Sequence, residues 1–474
     1  MWSQEYTVQF APLSESHSET QWVVQAQDGE TVRSCRTTLG SRRIEKAYQR
    51  VLPVHSRDLL DIALAVYASD RICPRRPTGV KDEYGMRWAR RIAVQLPLRD
   101  PIHWHSGSRL TSLCSLLEYL TGDRWYFEFT PRPLAKDDKP RQECLFRWPP
   151  SDLVEIAPFS GGMDSLAGAV NYLESTPVQI FSLIVGGTGT QMKHRQTELL
   201  KALQEHFPSR VLPIRVPYGL WHRNYSANDD EASQRSRGFV HLMLVAVAAL
   251  LLEKPGVNVF ENGIGALGLP YNRGQLGTHI SRAVQPQTLA RMKVFIKDVF
   301  DYSLHFHNPF MFETKGMMCK RLTADWLRKP IARSVSCDEF PQRVPDHAQC
   351  GICPSCILRR VSLRHAGLVD ADVLSRYRFD VTDPTRPLDQ QRLYKLYVML
   401  DQVDRFRTCL RGSAWEELTV AFPDLMDAAD VLVDEEELSE EHVAAALTAL
   451  IRAYVLEWDA FPYHLPAHDL KLCS

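Results

Sequence analysis

The chain runs to 474 residues, with 56 basic and 57 acidic side chains and 45% hydrophobic content. That length exceeds what one core holds and fits about three domains, while the composition excludes a disordered or fibrous chain. Charge so nearly balanced supplies no overall field for nucleic acid or anionic lipid, so neither is an expected partner. No apolar run reaches membrane-spanning length, and Met1-Trp2-Ser3-Gln4-Glu5 lacks a basic and then apolar leader, which makes the cytoplasm the expected location. The chain holds 11 cysteines. Few of them cluster, which argues against a secreted disulfide framework.

Residues 1–150 mix period-two runs (Tyr6 to Phe10, Ile92 to Leu96, Trp125 to Phe129) with helical stretches such as Arg57 to Asp70, which predicts an α+β accessory domain. Leu59, Ile62, Ala63 and Val66 recur at helical spacing and form a core-facing stripe. Proline and charge gather between Pro131 and Pro140, the signature of a surface loop near a domain boundary.

From Leu153 the pattern becomes strand, helix, strand, helix, with short apolar runs at Leu153 to Phe159, Val178 to Val185, Val211 to Val216 and Val257 to Phe260. Such alternation implies an α/β domain over residues 151–380, built on a parallel sheet covered on both faces. Gly238 to Glu253 is apolar almost all round and reads as a buried helix. Ligands bind such sheets beyond the carboxyl ends of the strands, where Ser160-Gly161-Gly162-Met163-Asp164-Ser165 stands. Its two glycines allow a tight turn, so that backbone N–H groups, the Ser160 and Ser165 hydroxyls and the positive end of the next helix converge on a phosphate. Asp164 can hold a magnesium ion beside it. The stretch lacks the lysine of G-x-x-x-x-G-K-[ST], so it is not the usual loop that carries a γ-phosphate.

Cys337, Cys350, Cys353 and Cys356 form a C-x12-C-x2-C-x2-C set. Four thiolates at this spacing can close a tetrahedral Zn2+ site with no open position, which makes the metal structural. Gly351 inside the knuckle supports that reading, and the site would pin its loop against the nucleotide segment. An iron–sulfur cluster or redox disulfides are the alternatives. After Asp383-Pro384-Thr385-Arg386-Pro387 the chain is helical in pattern, which predicts a helical domain over 381–474. There Ser439 caps a helix whose Val443, Leu447, Leu450 and Tyr454 share a face, and Asp434 to Glu437 reads as a solvated acidic turn. His194, His206 and His241, isolated in helical stretches, read as structural.

Ser160 to Ser165 resembles the SGGxDS signature of the PP-loop ATP pyrophosphatases, which cleave ATP between the α- and β-phosphates to adenylate a substrate. With Cys350-Gly351-Ile352-Cys353-Pro354-Ser355-Cys356 and Arg359, it resembles the 7-cyano-7-deazaguanine synthases, the QueC family, over roughly residues 150 to 375. Arg235-Ser236-Arg237-Gly238-Phe239 looks like the family's G-R-N-x-x-F-L helix entrance. Glu313-Thr314-Lys315-Gly316-Met317 looks like its T-K-x-x-[IV] element, and His194 to Glu198 partly like its Y-G-Q-R-H-x-x-E. Leu269-Pro270-Tyr271-Asn272 stands where the family has the substrate-reading Y-P-D-C, so the acid that grips the amidine-like edge is missing there. Glu261, in Glu261-Asn262-Gly263, is the candidate to replace it. The additional terminal segments are similar to those of the QueC-like proteins of bacterial anti-phage operons, the QatC type and the related enzyme of type IV CBASS.

The resemblance implies a PP-loop ligase that converts ATP to AMP and pyrophosphate and forms a C–N bond. Ser160, Gly161, Gly162, Met163, Asp164 and Ser165 would hold the nucleotide, aided by Arg235, Arg237, Gly263 and Arg359. Asp164, Ser160 and Lys315 would act in catalysis, Asp164 through Mg2+, while Glu261, Tyr271 and Asn272 would meet the substrate. A carboxylate is a poor electrophile, so 7-carboxy-7-deazaguanine must be adenylated before an amine attacks it. An α-amine, with a pKa near 8, is uncharged for roughly a tenth of the time at pH 7, far more than a lysine. The expected acceptor is therefore the N-terminus of a protein partner from the same defence operon. The alternatives are ammonia, yielding the free nitrile, a non-catalytic ATP-binding sensor, and tRNA thiolation with Cys319 as the nearest cysteine outside the cluster.

Overall fold

The computed structural model describes residues 4–13, 20–29, 31–75, 89–132, 148–177, 179–187, 189–233, 235–271, 282–340 and 349–465. Its strands are β1 (Glu5–Pro12), β2 (Thr20–Asp28), β3 (Thr31–Leu39), β4 (Arg91–Leu98), β5 (Arg124–Pro131), β6 (Val154–Pro158), β7 (Ile180–Gly187), β8 (Val211–His222), β9 (Gly256–Asn258) and β10 (His305–His307). Eight of them form one sheet in the order β5-β4-β1-β2-β3-β8-β7-β6. The pairs β5–β4, β4–β1, β8–β7 and β7–β6 are parallel, and β1–β2, β2–β3 and β3–β8 are antiparallel. The molecule is thus α/β with a mostly parallel central sheet.

Strict alternation explains the outer strands. Tyr6, Val8 and Phe10 of β1, Ile92, Val94, Leu96 and Leu98 of β4, and Trp125, Phe127 and Phe129 of β5 all point to the buried face. In β7 the run Ile180 to Val185 is buried on both sides, as a central strand requires. Ile180, Ile184 and Ile214 face a core that includes the helices Val54–Ile72 and Arg237–Leu251. Phe181, Leu183 and Val185 face a second core with the helices Met163–Ser175 and Thr190–His206.

The parallel sheet expected of residues 151–380 is therefore not a separate unit. β8 continues past Val216 to His222, and that extension pairs with β3 from Leu39↔Tyr218 to Cys35↔His222. Thr37 Oγ1, fully buried at this seam, donates to Gly219 O at 2.8 Å. The run at Val257 forms β9, which pairs with β10 in a small parallel sheet of its own and not with β6 to β8. Of the expected strand from Val178, residue 178 lies outside the described residues, as do 133–140 of the expected loop.

A third core joins the helices Gln390–Cys409, Ala414–Ala421, Asp424–Glu436 and Glu440–Asp459 to Ala266, Leu267 and Met311. Ser439 Oγ accepts from His442 N at 3.2 Å, and Val443, Leu447, Leu450 and Tyr454 are buried on one face. Asp434 to Glu436 form the last turn of a helix and not a separate loop. Acids are disfavoured at a helix C-terminus, and Lys293 offsets this by pairing with Glu435 at 2.9 Å. Among the described residues no helix is long and apolar enough to cross a membrane.

Tyr48 is fully buried, and its hydroxyl lies 2.6 Å from Ser182 Oγ of β7, joining the first 150 residues to the sheet strand beside the loop. Tyr48→Phe should lower stability by about 1 kcal/mol and Tyr48→Ala by about 3–5 kcal/mol, read as shifts of the urea midpoint. Y48A with an unchanged midpoint would show that this seam contributes nothing.

Candidate functional site

β6 delivers the loop. Phe159 is buried and its N–H donates to Ile184 O at 2.8 Å, after which Gly161 turns the chain with φ +84°, a conformation that favours glycine. Gly161 N donates to Ser165 Oγ at 3.1 Å, Ser165 Oγ donates to Gly162 O at 3.0 Å, and Gly162 N donates to Ser160 Oγ at 3.2 Å. The two hydroxyls thus shape the loop from within. Gly162 is the N-cap of the helix Met163–Ser175 and offers no side-chain cap. The first-turn N–H groups are left to an external acceptor at the positive end of the helix.

Asp164 stands in that first turn. Its Oδ2 pairs with Lys315 Nζ at 2.7 Å, with the two side chains 15% and 7% exposed. Its Oδ1 accepts from Asn262 Nδ2 at 3.0 Å, and the same amide donates to Glu261 Oε1 at 2.8 Å. Burial, followed by the charge of Asp164, pushes the Glu261 carboxyl above the ordinary carboxylate range. Burial alone would lower Lys315, but the carboxylates of Asp164 and Glu261 hold it above its ordinary value. Asn262 was not foreseen from the sequence, although it lies between two candidate residues.

The other expected contacts are distributed differently. Gly263 is buried, and its N–H is spent on Glu313 O at 2.8 Å, so it links the Glu261 turn to the Thr314 turn and does not face the loop. Tyr271 is half-buried against the C-terminal helices, where Gln402 Nε2 donates to Leu269 O at 3.0 Å. Burial and Asp338 push its hydroxyl up to about 12, with Lys315 close enough to oppose them. Asn272 lies outside the described residues. Arg235 is buried with Nη1 on Thr121 O at 3.1 Å, beside Arg75 and Asp123 of the first segment. Arg237 lies beside Tyr218 and Tyr67. Neither arginine is brought to the loop.

Arg359 also serves a different purpose from phosphate contact. Fully buried, it donates to Tyr377 Oη at 3.0 Å, Ser334 Oγ at 2.7 Å, Ile331 O at 2.6 Å and Ser375 Oγ at 3.0 Å. It thereby holds the segment whose Val335 N donates to Gly161 O at 3.0 Å. Arg360 is engaged by Asp380 and Thr382.

That segment leads into Cys337. Cys337, Cys350, Cys353 and Cys356 are all buried, with their sulfurs within 4.8 Å of one another. Cys350 and Cys356 sulfurs lie 3.9 Å apart, against about 3.8 Å for two thiolates on one tetrahedral zinc. Backbone N–H groups of Cys350, Cys353 and Cys356 point at the preceding sulfurs at 3.3, 3.3 and 3.4 Å. Gly351, with φ +85°, makes the turn this needs. The donor set and its dimensions fit zinc. A second cluster, His55, Asp100 and His103, has its imidazoles stacked at 3.6 Å with planes 9° apart. Lone pairs in parallel ring planes do not converge on one ion.

Among the histidines, His241 is half-buried against Tyr218 and lowered to about 3, chiefly by desolvation, so it stays neutral. His206 stacks on Trp326 at 4.1 Å, and His194 lies 3.7 Å from Glu198 on the surface. Burial, followed by the charge of Asp164, pushes the Cys319 thiol up to about 12, which removes the thiolate that thiolation needs. A cavity of about 750 Å³ opens between Pro270 and Arg405, Phe422 and Asp424 of the C-terminal helices, away from the loop. No family model matches the chain, and no curated protein matches it.

Cys353→Ser should abolish stoichiometric zinc, measured by a chromophoric chelator on the unfolded protein, and lower the melting temperature. Full zinc retention in that variant would exclude the four-sulfur site.

Proposed function

We propose that the chain is an ATP-dependent ligase of QueC type, which adenylates 7-carboxy-7-deazaguanine and passes the acyl group to the N-terminus of a partner protein in anti-phage defence. The observation that carries this reading is the glycine turn at the carboxyl end of β6. It places uncapped helix amides beside an Asp164 that is already neutralised by Lys315. A triphosphate needs that combination of backbone donors and a carboxylate able to hold its metal.

Asp164 is the residue to hold Mg2+, its carboxylate being fixed by Lys315 on one oxygen and by the Asn262 amide on the other. The ion would supply charge neutralisation on the departing pyrophosphate. Met163 and Asp164 present their N–H groups to the β,γ end, and Lys315 can move from Asp164 to a phosphate oxygen without leaving a buried charge unpaired. Glu261, beside Asp164 on the shared Asn262 amide, would offer its carboxyl to the amidine-like edge of the deazaguanine. Tyr271 lies on the same side, within electrostatic reach of Lys315. An amine then attacks the acyl carbon and displaces AMP, forming the amide. With ammonia the product is a primary amide, which a second ATP can activate so that it loses its oxygen and becomes a nitrile, whereas a protein amine gives a secondary amide and the reaction stops. Residues 1–150 and 381–474, which surround a 151–380 ligase core in this reading, are assigned to docking the partner.

Incubation with ATP, Mg2+, the deazaguanine acid and the neighbouring operon proteins should add the acyl mass to one partner, seen by intact-mass spectrometry. Asp164→Asn should reduce AMP formation by about 10²–10³-fold. AMP without a modified protein would favour the nitrile route, and absence of AMP with every acceptor would favour a sensor.

A further inference from the structure

The site has a support that the proposed reaction does not use. The last helix, Glu440–Asp459, carries Leu447, Leu450 and Tyr454 on its buried face and, on the same face, Glu457, which is 1% exposed. Glu457 Oε1 accepts the hydrogen of Thr314 Oγ1, and the Gly316 N–H adds a second hydrogen bond. Thr314 Oγ1 in turn accepts from Met317 N at 3.0 Å and caps the short helix Lys315–Cys319. A hydroxyl has one proton. With it committed to Glu457, the lone pairs are turned to Met317 N–H. Lys315 is the first residue of that helix, and its Nζ reaches Asp164 at 2.7 Å.

Nothing in the packing demands an acid here. His365 Nε2 lies 3.9 Å from Glu457 Oε1, but burial and Lys320 lower its pKa, so it is neutral at pH 7. Cys319 is a thiol, Tyr454 on the same helix is held un-ionised by burial, and Lys320 acts at longer range. A leucine would fill the position at lower desolvation cost.

We propose that Glu457 is a positioning residue for the Asp164 loop: as a carboxylate it orients the Thr314 hydroxyl, sets Lys315, and makes nucleotide binding depend on the last helix. The inference rests on the nucleotide reading given above. Burial, opposed by the Thr314 hydrogen bond, raises Glu457 from 4.5 to about 7. Because its folded-state pKa is raised, the stability it contributes is present at acid pH and is lost as pH rises through about 7. Nucleotide binding runs the opposite way, since the carboxylate is the orienting form.

The test is calorimetric titration of the full-length protein with ATP and Mg2+ from pH 5.5 to 8.5. Glu457→Gln should bind about tenfold more weakly than the unmodified protein at pH 8, the weight of about one hydrogen bond. The difference should vanish below pH 6, with its midpoint near 7. The variant should also melt no lower at pH 8, because no charge is buried. Thr314→Val, which keeps the shape and loses the hydroxyl, should reproduce the loss. Unmodified affinity in both variants overturns the inference and leaves the nucleotide reading intact. No ATP binding by the unmodified protein overturns both.

Discussion

The ion pair between Asp164 and Lys315 is the constraint around which the candidate site is assembled. Its partners are 2.7 Å apart and largely withdrawn from solvent. Charges taken out of water cost more than they return unless each is paired, and stranding one costs about 3–5 kcal/mol. The loop after β6, the Glu261–Asn262 turn and the short helix beginning at Lys315 must therefore arrive together. Asn262 completes the set by donating to both Asp164 and Glu261. In the proposed reaction this is an advantage: a triphosphate and its cation bring both signs of charge, so the same side chains can change partners without any charge being left alone.

The loop is held from two directions. Below it, β6 and β7 are packed on both faces, and β3 extends the sheet through β8. Beside it, Val335 N–H holds Gly161 O, Arg359 holds Ser334 and Ile331, and two residues on from Val335 the four cysteines begin. A zinc ion on those sulfurs would join the stretch at Cys337 to the start of the helix Pro354–His365. Its effect on chemistry would be indirect, through the position of Gly161, because a closed four-sulfur site leaves no place for substrate.

Legibility in the sequence followed the distance over which each interaction acts. The glycine turn and the cysteine spacing lie within a few residues, so their chemistry could be read directly, and the alternation of β1, β4 and β5 was equally plain. β3 was not: Thr31-Val32-Arg33-Ser34-Cys35-Arg36-Thr37-Thr38-Leu39 has few apolar residues, and only its pairing with β8 makes it a central strand. Arg359 fitted a motif but is consumed by Tyr377, Ser334, Ile331 and Ser375, contacts that no local pattern announces. Glu457 did leave a signal, a charge on the same helical face as Leu450 and Tyr454, where an apolar residue was expected.

Both terminal segments reach the centre through buried polar contacts, and this decides what kind of attachments they are. From the first segment, Asp70 accepts from Ser236 Oγ at 2.6 Å at the start of the helix Arg237–Leu251, while pairing with the fully buried Arg90. From the last helix, Glu457 meets Thr314. Apolar packing alone tolerates sliding and rotation, whereas a buried carboxylate with one hydroxyl donor is satisfied in a single register and is costly in any other. Segments joined in this way move with the site they touch. A protein that docked on either one would therefore act on the geometry around Lys315 or the entrance of the Arg237 helix, and such a route from partner to loop requires no large motion of the sheet.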